Sequence, residues 1–520
     1  MRGGAPLSSG ANTRNGGQVS AFPLRSIAVV GGGAGGWLAA ATLRHVLGDS
    51  CAVRLLELTD DNAIHGAVET VPSLHRLLRL LRLDEIMLMR ATQATFRLGA
   101  QFRDWTAEGA GYFHGFGSSG AKLDAVSFQH HWLRLACLGD SAPFEDFSVA
   151  AQAAKLGRFA LPQSDPRSVL SLYSYAWHFD ADLLAAHLRG HALRNGVTVI
   201  AGDIANVQLD EQGSIRALAL DNGERLEAEM YVDCGGERGV LRTALGIELD
   251  DWSAWLPCDR TQTLRCAADP SLPPYSCATA DPHGWQLRVP LQQCSVLSHV
   301  YCSEFIGDDA VRDKLLVAAG VEAQGAPRTR RLMRGRPRQF WVRNCVLLPG
   351  DALDPLESTG LHLMQTGITR FLAHLPARLP GPAETREYNR LTAEEYDRIR
   401  DLLVLHYHAN ARQDSLLWKR CRETAVPETL SRRLALFTDS GRITVGEDEH
   451  CGVDGWLAVL LGQGVRPRSY DPLAEVTPLP TVRTALSRLR EEIRAQAAAL
   501  PSHRNFIALR GVTAQPSSQA

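Results

Sequence analysis

Ser26-Ile-Ala-Val-Val-Gly31-Gly-Gly-Ala-Gly-Gly36-Trp-Leu-Ala-Ala-Ala-Thr-Leu-Arg-His-Val-Leu47 is the stretch on which the fold turns. Ser26 to Val30 is a short apolar run with β-branched residues, which predicts a strand. Six residues follow, five of them glycine, and Trp37 to Leu47 then carries an apolar helical pattern. Strand, glycine turn and helix stand in the order a dinucleotide site requires. The glycines permit a tight turn and let a pyrophosphate approach the helix N-terminus. A second strand, Ala52-Val-Arg-Leu-Leu-Glu57, ends in an acid placed 21 positions after Gly36 to accept hydrogen bonds from ribose hydroxyls. Gly31, Gly33, Ala34, Gly36, Trp37 and Glu57 are therefore the expected cofactor-binding set.

Working outward, residues 1–24 read as a disordered Gly/Ser/Asn-rich tail without the apolar core of a signal peptide. Residues 73–98 read as helical, with Leu74, Leu77, Leu78 and Leu81 at helical spacing. Leu183 to Asn195 predicts a helix, and Val197–Ala201, Ile204–Asp210, Ile215–Leu220 and Met230–Val232 predict strands. Such a unit, followed by Val232-Asp-Cys-Gly-Gly236, often returns the chain beneath the adenine side of an FAD. A further strand is expected over Phe340–Leu348, then Pro349-Gly-Asp-Ala352, where Asp351 is expected on the ribitol or pyrophosphate side, and a helix from about Ser358. Residues 385–500 are mostly helical and end in amphipathic Thr481–Leu500.

The expected fold is α/β: an FAD-binding, Rossmann-type, monooxygenase-like domain over 25–380 with an inserted β-rich substrate region. A helical C-terminal subdomain over 381–505 and a flexible tail over 506–520 complete it. A single nucleotide motif is visible, so the chain has a flavin site and no second site for a nicotinamide cofactor.

Composition narrows the function. A net charge of −2 leaves no excess of cations for a nucleic-acid partner. The eleven cysteines form no CxxC pair and no zinc spacing, so no metal is expected and the thiols read as reduced in a cytoplasmic protein. No run of about eighteen apolar residues announces a membrane span. The basic residues are nearly all arginine, with lysine only at Lys122, Lys155, Lys314 and Lys419.

Three separated segments resemble the flavin-dependent tryptophan halogenases. Gly31-Gly-Gly-Ala-Gly-Gly-Trp37 is similar to the family's GGGxAGW start, Gly284-Trp-Gln-Leu-Arg-Val-Pro290 to its GWxWxIP signature, and Pro355-Leu-Glu-Ser-Thr-Gly360 to its PLESTG segment. Tyr112-Phe-His-Gly-Phe-Gly117, Asp251-Trp-Ser-Ala-Trp-Leu-Pro257 and His406-Tyr-His408 look like a bacterial branch, so the resemblance covers roughly 25–505.

The resemblance implies a two-component enzyme. A separate reductase supplies reduced FAD, which with oxygen and halide gives hypohalous acid, and this reaches an electron-rich aromatic ring, usually an indole. Glu357 matches the glutamate that assists at the ring, and a carboxylate there can take the ring proton. Leu356 falls beside the flavin, the Thr359 and Gly360 amides match a halide position, and Trp285 matches a ring that keeps substrate from the flavin. The resemblance leaves room for a homodimer.

The family's catalytic lysine position is Arg97, within Ala91-Thr-Gln-Ala-Thr-Phe-Arg-Leu-Gly99. Arginine stays protonated, so a haloamine route is closed, although a guanidinium can hydrogen-bond an oxidant or clamp a carboxylate. Leu287 replaces the second tryptophan of GWxWxIP, Ala67-Val-Glu-Thr70 stands where a VGEAT-like block is usual, and Pro349-Gly-Asp-Ala-Leu-Asp354 replaces a small apolar loop. Two other readings stay open beside halogenation. One is a flavin monooxygenase or oxidase on this fold that uses no halide; the other is an inactive flavin-binding homologue.

Overall fold

The protein is described from a computed structural model covering residues 24–59, 65–121, 123, 126–140, 142–320, 323–350, 353–375, 381–446 and 449–513. The opening motif folds as its residues dictate. Strand Ser26–Val30 runs parallel to strand Ala52–Glu57, with Ile27 opposite Val53 and Val30 opposite Leu56. Gly31 turns the chain at φ +114°, a conformation side chains resist, and its amide donates to the Leu56 carbonyl at 3.0 Å. Helix Ala34–Leu47 starts at once, capped by Gly33. A methyl group on Gly36 would lie 1.9 Å from the Gly31 carbonyl oxygen, so the turn closes tightly enough only with glycine there.

Six strands form the sheet under this turn, in the order Trp341–Val342, Cys345–Leu347, Met230–Asp233, Ser26–Val30, Ala52–Glu57, Thr198–Ala201. All pairs are parallel except the one at the Trp341 edge. The glycine-turn helix packs on this sheet, and helix Ala181–Arg194 packs against that helix. The expected single strand over Phe340–Leu348 is instead a short hairpin. Arg343 turns the chain at φ +52°, and the Asn344 side chain bonds both the amide and the carbonyl of Ile215 at 2.9 Å. Residues 73–98 likewise form no single helix. Leu74–Leu80 ends where Arg82 takes φ +55°, Asp84 caps Glu85–Ala91 through the Met87 amide, and Thr95–Arg97 is a strand. Asp84 is a better N-cap than interior residue, and this overrides the leucine periodicity.

The inserted β-rich region is a seven-stranded sheet, ordered Gln324–Arg331, Arg260–Ala267, Cys294–Tyr301, Gly284–Pro290, Ser276–Asp281, Gly99–Arg103, Gly111–Gly115. The C-terminal part holds the 27-residue helix Pro382–His408, Val453–Gly462 and Leu479–Ala499. The last buries Val482, Leu486, Ile493 and Ala497, one stripe at helical spacing. Among the described residues no helix is long and apolar enough to cross a membrane.

Two glycine substitutions should move stability in opposite directions. Gly36→Ala forces a clash in the turn and should cost about 1–3 kcal/mol. Gly190→Ala lies inside helix Ala181–Arg194, where the new methyl meets only the Arg194 side-chain tip at 3.3 Å. It should stabilise by about 0.5–1 kcal/mol. Denaturant unfolding of both variants checks the pair, and a neutral Gly36→Ala would contradict the packing given for the turn.

Candidate active site

The glycine-turn helix carries no acid in its first turn and no side-chain cap at Gly33, so its terminal amides remain available to an anion. At the neighbouring strand end, Glu57 accepts from Arg189 Nε at 3.1 Å. The Arg189 guanidinium also lies 5.7 Å over the Trp37 ring, which is buried between the two helices. Gly31, Gly33, Ala34, Gly36, Trp37 and Glu57 therefore do gather at one end of the sheet. Asp351 lies outside the described residues.

The third motif is packed directly against the first. A methyl on Gly35 would sit 2.1 Å from Met364 Sδ, and one on Gly350 would sit 2.5 Å from the Gly360 carbonyl oxygen. Helix Gly360–Ala373 thus presses its first turns on the glycine-turn helix, with Thr359 as its N-cap residue. Just before it, Ser358 takes φ +57°, a strained conformation for a residue with a side chain. The Ser358 and Thr359 hydroxyls are buried and have no hydrogen-bond partner among the described residues. Two orphaned donors beside a helix N-terminus fit an anionic or polar ligand there. Leu356 is buried, its amide donating to Asp354 at 3.0 Å.

Glu357 is held by two histidines. His114 Nδ1 lies 3.1 Å from its Oε1 and 3.0 Å from its Oε2, and His406 Nε2 lies 2.5 Å from Oε1. Burial alone would raise the Glu357 pKa, but the two histidines hold it well below the usual carboxylate range. Burial likewise pulls His114 down, yet the Glu357 charge and the Cys451 thiol beside it lift it from 6.5 to about 10. His406 is different: burial outweighs the pull of Glu357 and its pKa falls. The centre is thus an imidazolium–carboxylate pair with a neutral second imidazole. The short contact to the carboxylate makes His406 Nε2 a donor, so Nδ1 accepts from the Tyr112 hydroxyl at 2.7 Å. Burial and the Glu357 charge keep that hydroxyl protonated.

Glu357 and His114 open on a cavity of about 960 Å³. Val71, Pro72 and Leu77 form an apolar side, and Phe116, His362, Glu395 and Cys451 also line it. Arg97 does not. It is buried behind Phe116, its guanidinium 5.0 Å from that ring, with Nη1 donating to the Thr70 carbonyl at 2.7 Å and Nε 3.4 Å from Glu69. Trp285 is also fully buried, and its indole N–H donates to the Tyr407 hydroxyl at 2.9 Å. That hydroxyl donates in turn to Asp354 at 2.7 Å, and burial lifts the Asp354 carboxyl to about 6. Sequence reasoning quoted the segments holding Tyr112, His114, His406 and Tyr407 but gave these four residues no role. Histidines inside otherwise apolar stretches, such as Leu402-Leu-Val-Leu-His406, were the available signal.

With this geometry in place, the comparisons are specific. The family model described as tryptophan halogenase matches residues 26–478. The tryptophan 7-halogenase KtzQ of Kutzneria sp. (strain 744) is 31% identical, over 80% of this chain and 81% of that protein. The tryptophan 6-halogenase SttH of Streptomyces toxytricini is 28% identical, over 93% of this chain and 98% of its own length. Among solved structures, BrvH, a flavin-dependent halogenase from Brevundimonas sp. BAL3, is 35% identical with a TM-score of 0.88, covering 94% of this chain and 99% of that one.

The His114–Glu357 pair should leave a mark on stability. A histidine raised from 6.5 to about 10 stabilises the fold fully below pH 6.5, and that contribution is lost as pH rises through about 10. The unfolding free energy of the wild type should therefore fall more steeply over this range than that of His114→Gln. Equal slopes in denaturant titrations at several pH values would show that the pair is not charged.

Proposed function

The chain belongs to the tryptophan halogenase family, and from that premise we propose an FAD-dependent enzyme that halogenates an indole or another electron-rich aromatic ring. The observation that carries this reading is Glu357, held ionised by two histidines at the wall of a cavity and followed by two unpartnered hydroxyls at a helix N-terminus. Reduced FAD, supplied by a separate reductase, provides with oxygen and halide the hypohalous acid that the ring consumes.

In this reading the Gly31–Gly36 turn receives the pyrophosphate, Glu57 the ribose, and Asp351 and the Leu356 backbone the remainder of the cofactor. The Thr359 and Gly360 amides, helped by the free Thr359 hydroxyl, hold halide. Glu357 takes the ring proton. Its low basicity is no obstacle, because a ring carrying both hydrogen and halogen on one carbon is a strong acid and a weak base suffices. Arg97 acts as a fixed cation behind Phe116: burial lowers its pKa while Glu69 and Glu357 sustain its charge. Trp285 braces the loop through Tyr407 and Asp354 and separates ring substrate from flavin.

Incubation with reduced FAD, oxygen and bromide over a panel of indoles should give products with the bromine isotope pattern. A gain of one oxygen without halogen would overturn the reading. Glu357→Gln keeps the shape and removes the base, so ring halogenation should fall by about 10²–10⁴ while FAD affinity stays within about threefold. Wild-type turnover by this variant would leave Glu357 as a structural acid alone. Arg97→Lys keeps the charge and loses the planar fork, so turnover should drop less than tenfold, whereas Arg97→Ala should lose more. Product mass spectrometry measures all three.

A further inference from the structure

We propose that His114 is a catalytic acid in this site, giving its Nε2 proton to the oxygen that leaves halogen as the ring is substituted. The inference rests on the halogenase reading above and names a residue that the sequence left without a role. Ring halogenation by hypohalous acid needs two proton transfers. The oxygen that loses halogen must gain a proton, or it departs as hydroxide, and the ring carbon must lose one.

The lining of the cavity offers few donors for the first transfer. Arg97 lies behind Phe116 with its guanidinium on the Thr70 carbonyl, and a guanidinium is a poor acid. His362 sets Nδ1 2.9 Å from the Ser73 hydroxyl and Nε2 3.3 Å from Glu395, outside hydrogen-bond geometry, so the acid it pairs with is Glu395 and not Glu357. His374 is bonded to the Arg370 carbonyl at 2.9 Å, and burial with the neighbouring His362 charge takes His450 down to about 3. His114 is placed differently. Its Nδ1 is committed to Glu357, which leaves Nε2–H facing Cys451 Sγ at 3.8 Å, a weak acceptor, and Gly455. Cys451 and Gly455 line the cavity with it. A methyl at Gly455 would lie 2.3 Å from Cys451 Sγ and 2.7 Å from Nε2, so only glycine fits beside this nitrogen at the cavity wall.

The step balances without an outside acid. The ring π pair forms the carbon–halogen bond, the halogen–oxygen bond breaks, and its electron pair stays on oxygen. The His114 Nε2 proton completes water, while the ring C–H proton passes to Glu357. The imidazolium–carboxylate pair becomes imidazole and carboxylic acid, so no net charge is created in a buried place. Return of that proton from Glu357 to His114 through water resets the pair. The charges facing His114 are Glu357, which favours its protonation, and, when protonated, His406 bonded to Glu357 and His450 of the same cavity lining, which oppose it. The Cys451 thiol faces it from the remaining side.

Two readouts test this. In flavin-free protein carrying ¹⁵N-histidine, the His114 ring should be doubly protonated at pH 8, assigned by its loss in His114→Gln. If that variant does not fold, Glu357→Gln gives the assignment, because removing the carboxylate should turn the same ring neutral. A neutral His114 in the wild type overturns the proposal. In turnover, oxidant is trapped by a thioether without aromatic substrate and compared with ring halogenation. His114→Gln should lose ring halogenation by about 100-fold more than it loses oxidant formation. Loss of both together, or of neither, contradicts a ring-step acid. A wild type that forms no oxidant would instead remove the halogenase reading and this proposal with it.

Discussion

A carboxylate withdrawn from water loses several kcal/mol of hydration unless its charge is met and its lone pairs are filled. Glu357 is such a group, and much of the site's architecture is arranged around it. His114 comes from the edge strand Gly111–Gly115 of the seven-stranded sheet and His406 from the long helix Pro382–His408, while Glu357 itself stands before the helix that packs on the glycine turn. Three parts of the chain converge on one charge. Removing either histidine would leave a buried anion short of a partner, whereas removing the acid would leave a buried cation.

The long helix does more than supply one histidine. Consecutive helical residues point about 100° apart, so His406 and Tyr407 reach different acids of the same loop, Glu357 and Asp354. Tyr407 also receives the Trp285 indole, which ties the substrate sheet to the loop. Held at both acids, the loop can keep Ser358 at φ +57° and leave the Ser358 and Thr359 hydroxyls unbonded. Strain and unmet hydrogen bonds of this kind persist only where the surroundings over-determine them, and they mark the place where a ligand is expected.

The glycine turn was legible because its chemistry is local. Strand, turn, helix and acid lie within Ser26 to Glu57, and their spacing alone dictates the geometry. The hairpin at Trp341–Leu347 was not, since Arg343 and Asn344 form its turn without the glycine that usually announces one. The break at Arg82 hid behind regularly spaced leucines for a similar reason. At the site, Glu357 and Arg97 were visible through resemblance, but their surroundings were not. Glu357 meets partners 243 and 49 residues away, and no periodicity records such contacts. From sequence, the Arg97 guanidinium suits an oxidant or a substrate carboxylate. Its environment of a carbonyl, a glutamate and a phenyl ring depends on strand pairing that sequence alone leaves open.

The altered positions acquire a physical meaning once the charges are placed. With arginine at the lysine position and that arginine behind Phe116, the cation nearest Glu357 by contact is His114. The central claim is the protonation pattern of this cluster, and neutron diffraction from deuterated crystals near neutral pH reads it directly. Deuterons should appear on both His114 nitrogens, on His406 Nε2 and on the Tyr112 oxygen, with none on Glu357. A deuteron on a Glu357 oxygen, with one nitrogen of His114 bare, would contradict the account at its root.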